Sequence, residues 1–323
     1  MRRLKIVQVI SNIPDAGRIP PTNQGGTEKV VYELTEELVR RGHDVTIFAA
    51  RGSRSSARLI PIPAGLRDEG IARFVLSRMP QGVDIIHDHT FSSALGRRQL
   101  RIPTVCTLHL PVKQRVKHPV YVSKRAQIVM GKSRGDYVYN GVKPSEYEFS
   151  SDKRSFLLFI GRILREKGIL HAIEIAERTN KKLIIAGPIK DRELFRKEIA
   201  PRIRRNPRIH YVGPVGGSKK QLLLKRASCL LFPTLWEEPF GLVMIEAMAC
   251  GTPVIALNNG AVSEVLAGFP QLICRSVPEM IRKVNVGKYP SPEVLRRYVT
   301  ERFTTSKMTS KYIQIYLKAM RSR

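Results

Sequence analysis

The sequence has little cysteine and no long apolar segment. Its four cysteines, Cys106, Cys229, Cys250 and Cys274, are scattered, without a C-x-x-C pair or the spacing of a metal site. This usage argues against a disulfide framework and is typical of a reducing cytosol, so we expect a cytoplasmic protein. No apolar run approaches the roughly 18 residues of a membrane-spanning helix. The first residues, MRRLKIVQVISN, lack the apolar length and cleavage site of a signal peptide, and we interpret them as a first strand.

Acidic residues are also scarce. The chain has 27 acidic side chains against 56 basic ones, which gives a formal charge of +29. Both halves are basic, since residues 1–150 contain 24 basic and 13 acidic side chains. Such a charge attracts nucleotides, anionic membranes or nucleic acid, although a solvated basic surface is the plain alternative. Charge therefore limits the class of partner without choosing one.

Strand and helix patterns alternate along the whole chain. Buried strands are predicted at residues 5–11, 44–50, 83–89, 103–109, 137–142, 155–161, 181–187, 209–213, 228–234 and 253–258. Helices are predicted from a Thr27 cap to Gly42, at 168–180, 192–205 and 219–227, over the apolar run that begins near Pro239, and at the C-terminus. This alternation predicts an α/β protein with two doubly wound parallel sheets.

The 323 residues suit two domains. We place them at residues 1–148 and 149–304, with a polar linker at 143–154. A C-terminal helix at 305–323 is expected to pack back towards the N-terminal domain. Ligands of such sheets bind beyond the carboxyl ends of the strands, so a cleft between the domains is the expected site.

Two candidate anion sites follow predicted strands. Gly25 and Gly26 stand before a helix, where bare backbone N–H groups and the helix dipole favour an anion. They do not form the G-x-G-x-x-G dinucleotide fingerprint, and an ordinary loop is the alternative. In GRILREKG, Arg162 and Lys167 flank a second helix start and together suit a diphosphate. Two such residues can also occur there by chance in so basic a chain.

The segment EEPFGLVMIEAMACG places a carboxylate, Glu246, inside an apolar run. A buried carboxylate requires hydrogen-bond donors, and two ligand hydroxyls would provide them. Glu238 precedes the predicted helix and can accept from another hydroxyl, while the N–H groups of Phe240, Gly241 and Leu242 face a phosphate or sugar. The alternatives are that Glu238 only balances the helix dipole and that Glu246 is paired with an arginine.

Histidines end two predicted strands. His109 follows CTL and could bond a substrate hydroxyl or stabilise developing charge, although a structural histidine is the commoner case. His87 and His89 flank Asp88 as H-D-H, a pattern that suggests a metal. No third group of ligands accompanies them, so we interpret this pair as structural.

Together these segments resemble the retaining glycosyltransferases of the GT-B fold, family 4 (glycosyl transferases group 1). The resemblance covers most of the chain. It is carried by QGGTEKVVYELTEELVRRGHDVTIFAA, VYNGV, GRILREKG and EEPFGLVMIEAMACGTPVIALNNGAVSEVL. The last segment, with its E-x7-E pair, is very specific. The resemblance implies two Rossmann-like domains that face each other across a cleft, an acceptor domain followed by a nucleotide-sugar donor domain.

The resemblance also implies residue roles. Glu238 would bond the transferred sugar and Glu246 the ribose. Arg162 and Lys167 would neutralise the departing diphosphate, without a metal or any other cofactor. The resemblance further assigns amides near Gly241 and Leu242 to the sugar and phosphate, Gly26 to the diphosphate and His109 to the reacting carbon.

Two departures leave the substrates open. The region between His109 and Tyr137, which usually shapes the acceptor pocket, is short, and Asn258-Asn259-Gly260-Ala261 replaces frequently paired glycines. We expect a UDP-sugar such as UDP-glucose as donor, with GDP-mannose as its competitor, and a glycan or lipid-linked glycan as acceptor. The charge is consistent with peripheral contact with an anionic membrane. A non-catalytic basic module that binds nucleic acid or anionic membrane is the alternative function, but no nucleic-acid-binding signature accompanies the charge.

Overall fold

A computed structural model describes residues 2–12, 17–22, 25–112 and 115–322. The chain divides into two compact units. Unit 1 comprises Met1–Lys143 and Phe303–Arg323, and unit 2 comprises Pro144–Arg302. Parts of the loop expected before the first helix, residues 13–16 and 23–24, lie outside the described residues.

Unit 1 is built on a seven-stranded parallel sheet of order β3-β2-β1-β4-β5-β6-β7. Its strands are β1 (Lys5–Ile10), β2 (Asp44–Ala50), β3 (Arg58–Ile62), β4 (Ile85–His89), β5 (Thr104–Leu108), β6 (His118–Tyr121) and β7 (Asp136–Tyr137). Its helices are α1 (Gly26–Arg40), α2 (Asp68–Ser77), α3 (Lys124–Gly131) and α12 (Thr305–Arg321). Central strands such as β4 and β5 are buried along their whole length, as expected for a parallel sheet covered on both faces.

Unit 2 is built on a six-stranded parallel sheet of order β10-β9-β8-β11-β12-β13. Its strands are β8 (Phe156–Ile160), β9 (Lys182–Ala186), β10 (Ile209–Tyr211), β11 (Cys229–Phe232), β12 (Val254–Leu257) and β13 (Ile273–Cys274). Its helices are α4 (Ile169–Thr179), α5 (Arg192–Leu194), a π-helical segment (Phe195–Ile199), α6 (Ala200–Arg205), α7 (Gly217–Arg226), α8 (Leu242–Ala249), α9 (Val262–Val265), α10 (Val277–Val286) and α11 (Pro292–Arg302). Short 3-10 turns lie at Pro144–Glu146, Arg165–Lys167 and Pro270–Leu272.

These two sheets confirm the predicted fold class of doubly wound parallel sheets. Each sheet has one point at which the strand order reverses, between β1 and β4 in unit 1 and between β8 and β11 in unit 2. Such a reversal opens a crevice at the carboxyl ends of its two central strands, because the connections leave in opposite directions there.

The C-terminal helix packs within unit 1. Thr304 caps α12 by accepting a hydrogen bond from the Lys307 N–H at 3.2 Å. The helix contacts α1 and β5 and buries Tyr312 and Tyr316 completely. Division at residues 143/144 and 302/303 places the unit boundaries slightly before the expected ones at 148 and 304.

Three local predictions were wrong. Helix α1 begins at Gly26 with Gly25 as its cap residue, so Thr27 lies inside the helix and does not cap it. The strand expected at 137–142 stops at Tyr137, because its neighbour β6 ends at Tyr121 and offers no further partner. Beyond it, Val142 instead forms an isolated bridge with Thr304.

The third error concerns α8, which begins at Leu242 and not at Pro239. Gly241 has φ +80°, a left-handed conformation that no helix interior adopts. Glu246 therefore lies about one turn into the helix, whereas a helix that began at Pro239 would place it about two turns in.

Candidate functional site

The crevice between β8 and β11 brings together the two motif segments of unit 2. GRILREKG follows β8, and the loop towards α8 follows β11. Their backbones are in contact, since Leu235 N–H donates to the Glu166 carbonyl at 2.8 Å. A Cβ at Gly168 would lie 1.8 Å from the carbonyl oxygen of Pro233. Only glycine permits this approach, which holds the two loops in register.

Glu238 lies in this crevice beside two donors. Lys167 Nζ is 2.6 Å from Glu238 Oε2, and Trp236 Nε1 donates to the same oxygen at 2.9 Å. The Lys167 ammonium also lies 4.4 Å from the centroid of the Trp236 ring, within cation–π range. Among the described residues no donor bonds Oε1, so the carboxylate is oriented through one oxygen while the other remains available.

The backbone of Glu238 is fixed by the loop after β12. A Cβ at Gly260, which has φ +60°, would lie 2.2 Å from Glu238 N. Ala261 N–H donates to the Glu238 carbonyl at 2.9 Å. Asn259 Nδ2 in turn donates to the Thr234 carbonyl at 2.7 Å. The segment that departs from paired glycines thus keeps glycine at the one position where contact demands it.

Glu246 is 5% exposed and has two donors of its own. Tyr147 Oη donates to Oε1 at 3.0 Å, and Lys220 Nζ lies 2.6 Å from Oε2. The ammonium supplies the opposite charge that a buried carboxylate needs. The internal partners of Glu246 are therefore a lysine and a tyrosine. The alternative considered from the sequence, a pair with an arginine, was wrong about the partner.

Tyr147 and Lys220 were not identified from the sequence. Tyr147 is 6% exposed, although it stands in the polar linker, and its carbonyl accepts from Arg296 at 2.8 Å. Gln221, beside Lys220 on α7, donates to the Glu146 carbonyl at 2.6 Å. The linker is thus fastened beneath the carboxylate. The one hint in the sequence was the presence of two aromatic residues, Tyr147 and Phe149, in an otherwise polar stretch.

Arg162 follows β8 and is exposed, with no ion-pair partner among the described residues. The next residue, Ile163, forms a bridge with Ile189 that fixes the course of the chain. Lys167 lies in the 3-10 turn before α4 rather than in the helix itself. The crevice therefore holds an exposed guanidinium and a carboxylate-bound ammonium.

In the glycine loop of unit 1, one glycine is open to a ligand and the other is confined by a carboxylate. Gly26 is exposed, and a Cβ there would meet nothing within 4 Å. Gly25 is confined, because a Cβ would lie 2.8 Å from Glu28 Oε2. Glu28 is buried in the first turn of α1 and accepts from the Gly17 N–H at 3.1 Å. Its negative charge offsets part of the dipole that would attract an anion.

His109 follows β5 and belongs to a group of three histidines. His109 Nε2 lies 3.3 Å from His89 Nδ1. Burial lowers the pKa of His109 to about 4, so it is neutral at pH 7. Burial also lowers the pKa of His89 well below its usual value. His109 thus offers neutral imidazole chemistry and no positive charge.

His87 serves the packing of α12. His87 Nδ1 lies 2.6 Å from Tyr316 Oη, and its Nε2 lies 2.7 Å from Thr107 Oγ1. Tyr312 Oη lies 2.9 Å from the same threonine oxygen. Asp88 accepts from three backbone N–H groups in the following loop. These contacts support a structural role for the H-D-H segment.

Two features are absent from the described ranges of the chain. No group of three or more histidine, cysteine, aspartate or glutamate side chains within them has the geometry of a metal site. No helix within them is long and apolar enough to span a membrane.

Two family profiles match consecutive parts of the chain. The profile of glycosyl transferases group 1 matches residues 145–275, and that of glycosyltransferase family 4 matches residues 24–143. An uncharacterized glycosyltransferase of Methanocaldococcus jannaschii is 31% identical over 148 residues. That alignment covers 40% of this chain and only 37% of the relative.

Solved structures resemble the chain over nearly its whole length. AviGT4, a glycosyltransferase involved in avilamycin A biosynthesis, has a TM-score of 0.80 at 26% identity and matches over 99% of both chains. HepE of Anabaena, solved in complex with UDP-glucose, has a TM-score of 0.77 at 16% identity. That match covers 98% of this chain and all of the HepE chain, and it shows a shared fold.

Proposed function

Because the chain belongs to the glycosyltransferases of group 1 and family 4, with the GT-B fold, we propose that unit 2 binds a nucleotide sugar and that the enzyme transfers its hexosyl group to an acceptor hydroxyl. The observation that carries this proposal is the crevice between β8 and β11. Glu238 lies in that crevice and Glu246 lies on α8, the helix that follows the same loop, and each carboxylate is oriented by a lysine.

Glu246 is proposed to bind the ribose. A carboxylate has about four lone-pair positions, and Tyr147 and Lys220 occupy two of them. Two positions remain for vicinal hydroxyls. The internal pair holds the carboxylate in place before a ligand arrives, so ribose binding does not have to order it.

Glu238 is proposed to bind the transferred sugar through Oε1, because Lys167 and Trp236 both occupy Oε2. The backbone N–H groups of Gly241 and Leu242 lie at the start of α8, where the positive end of the helix dipole suits a sugar or phosphate oxygen.

Arg162 and Lys167 are proposed to stabilise the departing diphosphate. The acceptor oxygen forms a bond to the anomeric carbon while the bond from that carbon to the phosphate oxygen breaks. In a retaining reaction the acceptor attacks from the same face, and the departing phosphate oxygen takes the acceptor proton. The two cations lower the energy of the charge that develops on that oxygen. We expect them to serve in place of a divalent ion, so activity should persist in EDTA.

Within unit 1, we propose roles for His109 and for the Gly25-Gly26 loop. The neutral imidazole of His109 can bond a hydroxyl of the sugar near the reacting carbon without adding charge. Gly26, with open space at its Cβ position, leaves room for a diphosphate to approach the backbone.

The test is a panel of nucleotides and nucleotide sugars in a thermal-shift assay, because a ligand that binds only the folded state raises the midpoint. UDP-glucose is the first probe, since a protein of the same fold has been solved with it; GDP-mannose is the competitor. Glu246→Gln keeps the shape of the side chain and should abolish the shift. Glu174→Ala, at an exposed position on α4, is the matched control and should leave the shift unchanged. Equal shifts in Glu246→Gln and the parent would disprove the assignment of Glu246.

We also propose that the enzyme is cytoplasmic and makes peripheral contact with anionic membranes. Such contact would bring it to a lipid-linked acceptor. Helix α3 exposes Ile128 and Val129, which are 44% and 46% exposed, and contains no acidic residue. Lys124 and Lys132 are exposed beside them. An apolar pair within basic surroundings suits an anionic interface. Ile128→Ser/Val129→Ser should reduce co-sedimentation with phosphatidylserine vesicles at low salt, while neutral vesicles should bind neither protein. Failure of the parent to co-sediment would disprove this contact.

A further inference from the structure

A cavity of about 550 Å³ lies within unit 1, on the side of the sheet where β1 and β4 end. Asn12 follows β1 and Phe91 follows β4, and both line it. The cavity therefore occupies the reversal point of the unit 1 sheet, the position at which doubly wound sheets bind ligands. Its volume lies within the usual range of small-molecule sites, about 300–1,000 Å³.

The floor of the cavity is a fixed polar network. Ser11 Oγ donates to Asp68 Oδ1 at 2.7 Å, and Ser92 N–H donates to Asp68 Oδ2 at 2.9 Å. Phe91 N–H donates to Ser11 Oγ at 3.0 Å. Asp68 thus ties the ends of β1 and β4 to the start of α2, and the cavity is held open by bonds rather than by chance packing.

Some of the charged side chains at the rim of the cavity form ion pairs and one does not. Glu69 forms ion pairs with Arg97 and with Arg98, the latter at 3.0 Å. Arg67 lines the cavity and is exposed, and the described residues offer it no ion-pair partner. The rim therefore carries one guanidinium without an ion-pair partner among the described residues, while the Asp68 carboxylate on the floor is bonded by neutral donors.

The remaining lining has the chemistry of a sugar site. Phe91 is half-buried, so its ring can pack against the C–H face of a pyranose. Ser92 Oγ is buried without a hydrogen-bond partner. Because this oxygen has almost no accessible surface, it cannot reach a ligand, and its missing bond is a cost to the fold. Asn12 is better placed, since its Nδ2 donates to the Pro63 carbonyl at 3.1 Å and no described residue bonds its Oδ1.

From this arrangement we propose that the cavity is the acceptor site and that the acceptor is a saccharide bearing a phosphate or carboxylate group. Phe91 packs on the sugar ring, Asn12 bonds one of its hydroxyls, and Arg67 pairs with the anionic group. The inference rests on the proposed transferase function and adds the chemical class of its acceptor.

The test measures binding of three probes by saturation-transfer NMR: glucose, glucose 6-phosphate and glucuronate. All titrations contain saturating UDP, so that the crevice of unit 2 is occupied. We expect both anionic probes to bind the parent about tenfold more tightly than glucose, the order of one charge-assisted contact. Arg67→Ala should remove that advantage and leave glucose binding unchanged.

Arg73→Ala is the matched control, because Arg73 is an exposed arginine on α2, the helix that Arg67 precedes, and does not line the cavity. It should bind all three probes as the parent does. Phe91→Ala should weaken all three probes together.

Equal binding of glucose and the anionic probes, or an Arg67→Ala variant that keeps the preference, would overturn the inference. A preference for glucose 6-phosphate over glucuronate would assign the anion as a phosphate, and the reverse as a carboxylate. If the parent protein did not bind UDP, the proposed function itself would be refuted. Failure of the acceptor inference can therefore be distinguished from failure of the proposed function.

Discussion

The two reversal-point crevices occupy the same place in two similar sheets, yet they are built differently. In unit 2 the loops are held by backbone contacts at Gly168 and Gly260, and each carboxylate has an ammonium partner. In unit 1 the loops are held by the side chain of Asp68, and Arg67 remains uncompensated. The same position in the sheet is thus fixed by glycine backbone contacts in unit 2 and by one hydrogen-bonded carboxylate in unit 1.

The largest effect in this comparison is expected at a glycine of unit 2. Gly260→Ala would place a Cβ 2.2 Å from the backbone of Glu238 at a φ of +60°. Since both the contact and the conformation are unfavourable, we expect a loss of about 3 kcal/mol in the free energy of unfolding and loss of UDP binding. Urea denaturation and a UDP titration measure these quantities.

Gly26→Ala is the matched change in unit 1. Its Cβ meets open space, so stability should change by less than about 1 kcal/mol. Similar losses of stability in both variants would contradict the contrast between the two units.

The next effect separates structural from binding roles in unit 2. Lys220→Met would leave Glu246 buried without its counter-charge, and we expect a loss of about 3 kcal/mol in stability. The double variant Lys220→Met/Glu246→Gln removes the charge as well. It should recover most of the stability but no UDP binding, as measured by thermal denaturation and titration. Recovery of binding would show that Glu246 serves the fold alone.

Acidification should act mainly on unit 1. Burial lowers the pKa of His87, His89 and His109, the last to about 4, against about 6.5 in an unfolded chain. Below pH 6.5 the unfolded state therefore binds more protons, and each of these histidines lowers the free energy of unfolding by about 1.4 kcal/mol per pH unit until its own folded-state pKa is reached.

Hydrogen exchange at pH 7 and pH 5, corrected for intrinsic rates, measures this effect. Protection should fall in peptides from β4 and β5 and much less in those from β8 and β11. His109→Gln should reduce the pH dependence. Equal losses in both sheets would exclude the buried histidines as the cause.

The smallest effect concerns the orientation of Glu238. Trp236→Phe removes the Nε1 donor but keeps an aromatic ring beneath Lys167. We expect a loss of about 1 kcal/mol, or about fivefold in kcat/KM with UDP-glucose, and little change in stability. Unchanged kinetics would show that Lys167 alone orients the carboxylate.

The contrast also explains how much the sequence could predict. The parallel sheets were predictable because strand and helix patterns alternate along the chain. The two segments that meet in unit 2 could be recognised because each of them is continuous in sequence. Lys220 and Tyr147 were missed because they reach Glu246 from distant parts of the chain. In the same way, the cavity of unit 1 is assembled from four short pieces, none of which forms a motif.

The predicted starts of two helices were wrong because the conformation of a single glycine determined where each helix begins. Pro239 is a favourable first residue for a helix, but the left-handed Gly241 delays α8 to Leu242. Thr27 is a favourable cap, but Gly25 takes that position. Residue type sets a preference at such points, and contacts with other loops determine the conformation.

The return of the C-terminal helix to unit 1 has a consequence for biosynthesis. The strands β4 and β5 are translated long before their partners Tyr316 and Tyr312, which follow His87 and Thr107 by 229 and 205 residues, respectively. Unit 2, by contrast, is one continuous stretch, so it can complete its fold first. A chain truncated after residue 302 would have an intact second unit and an uncovered apolar face on the first. Chaperones and proteases would recognise that face.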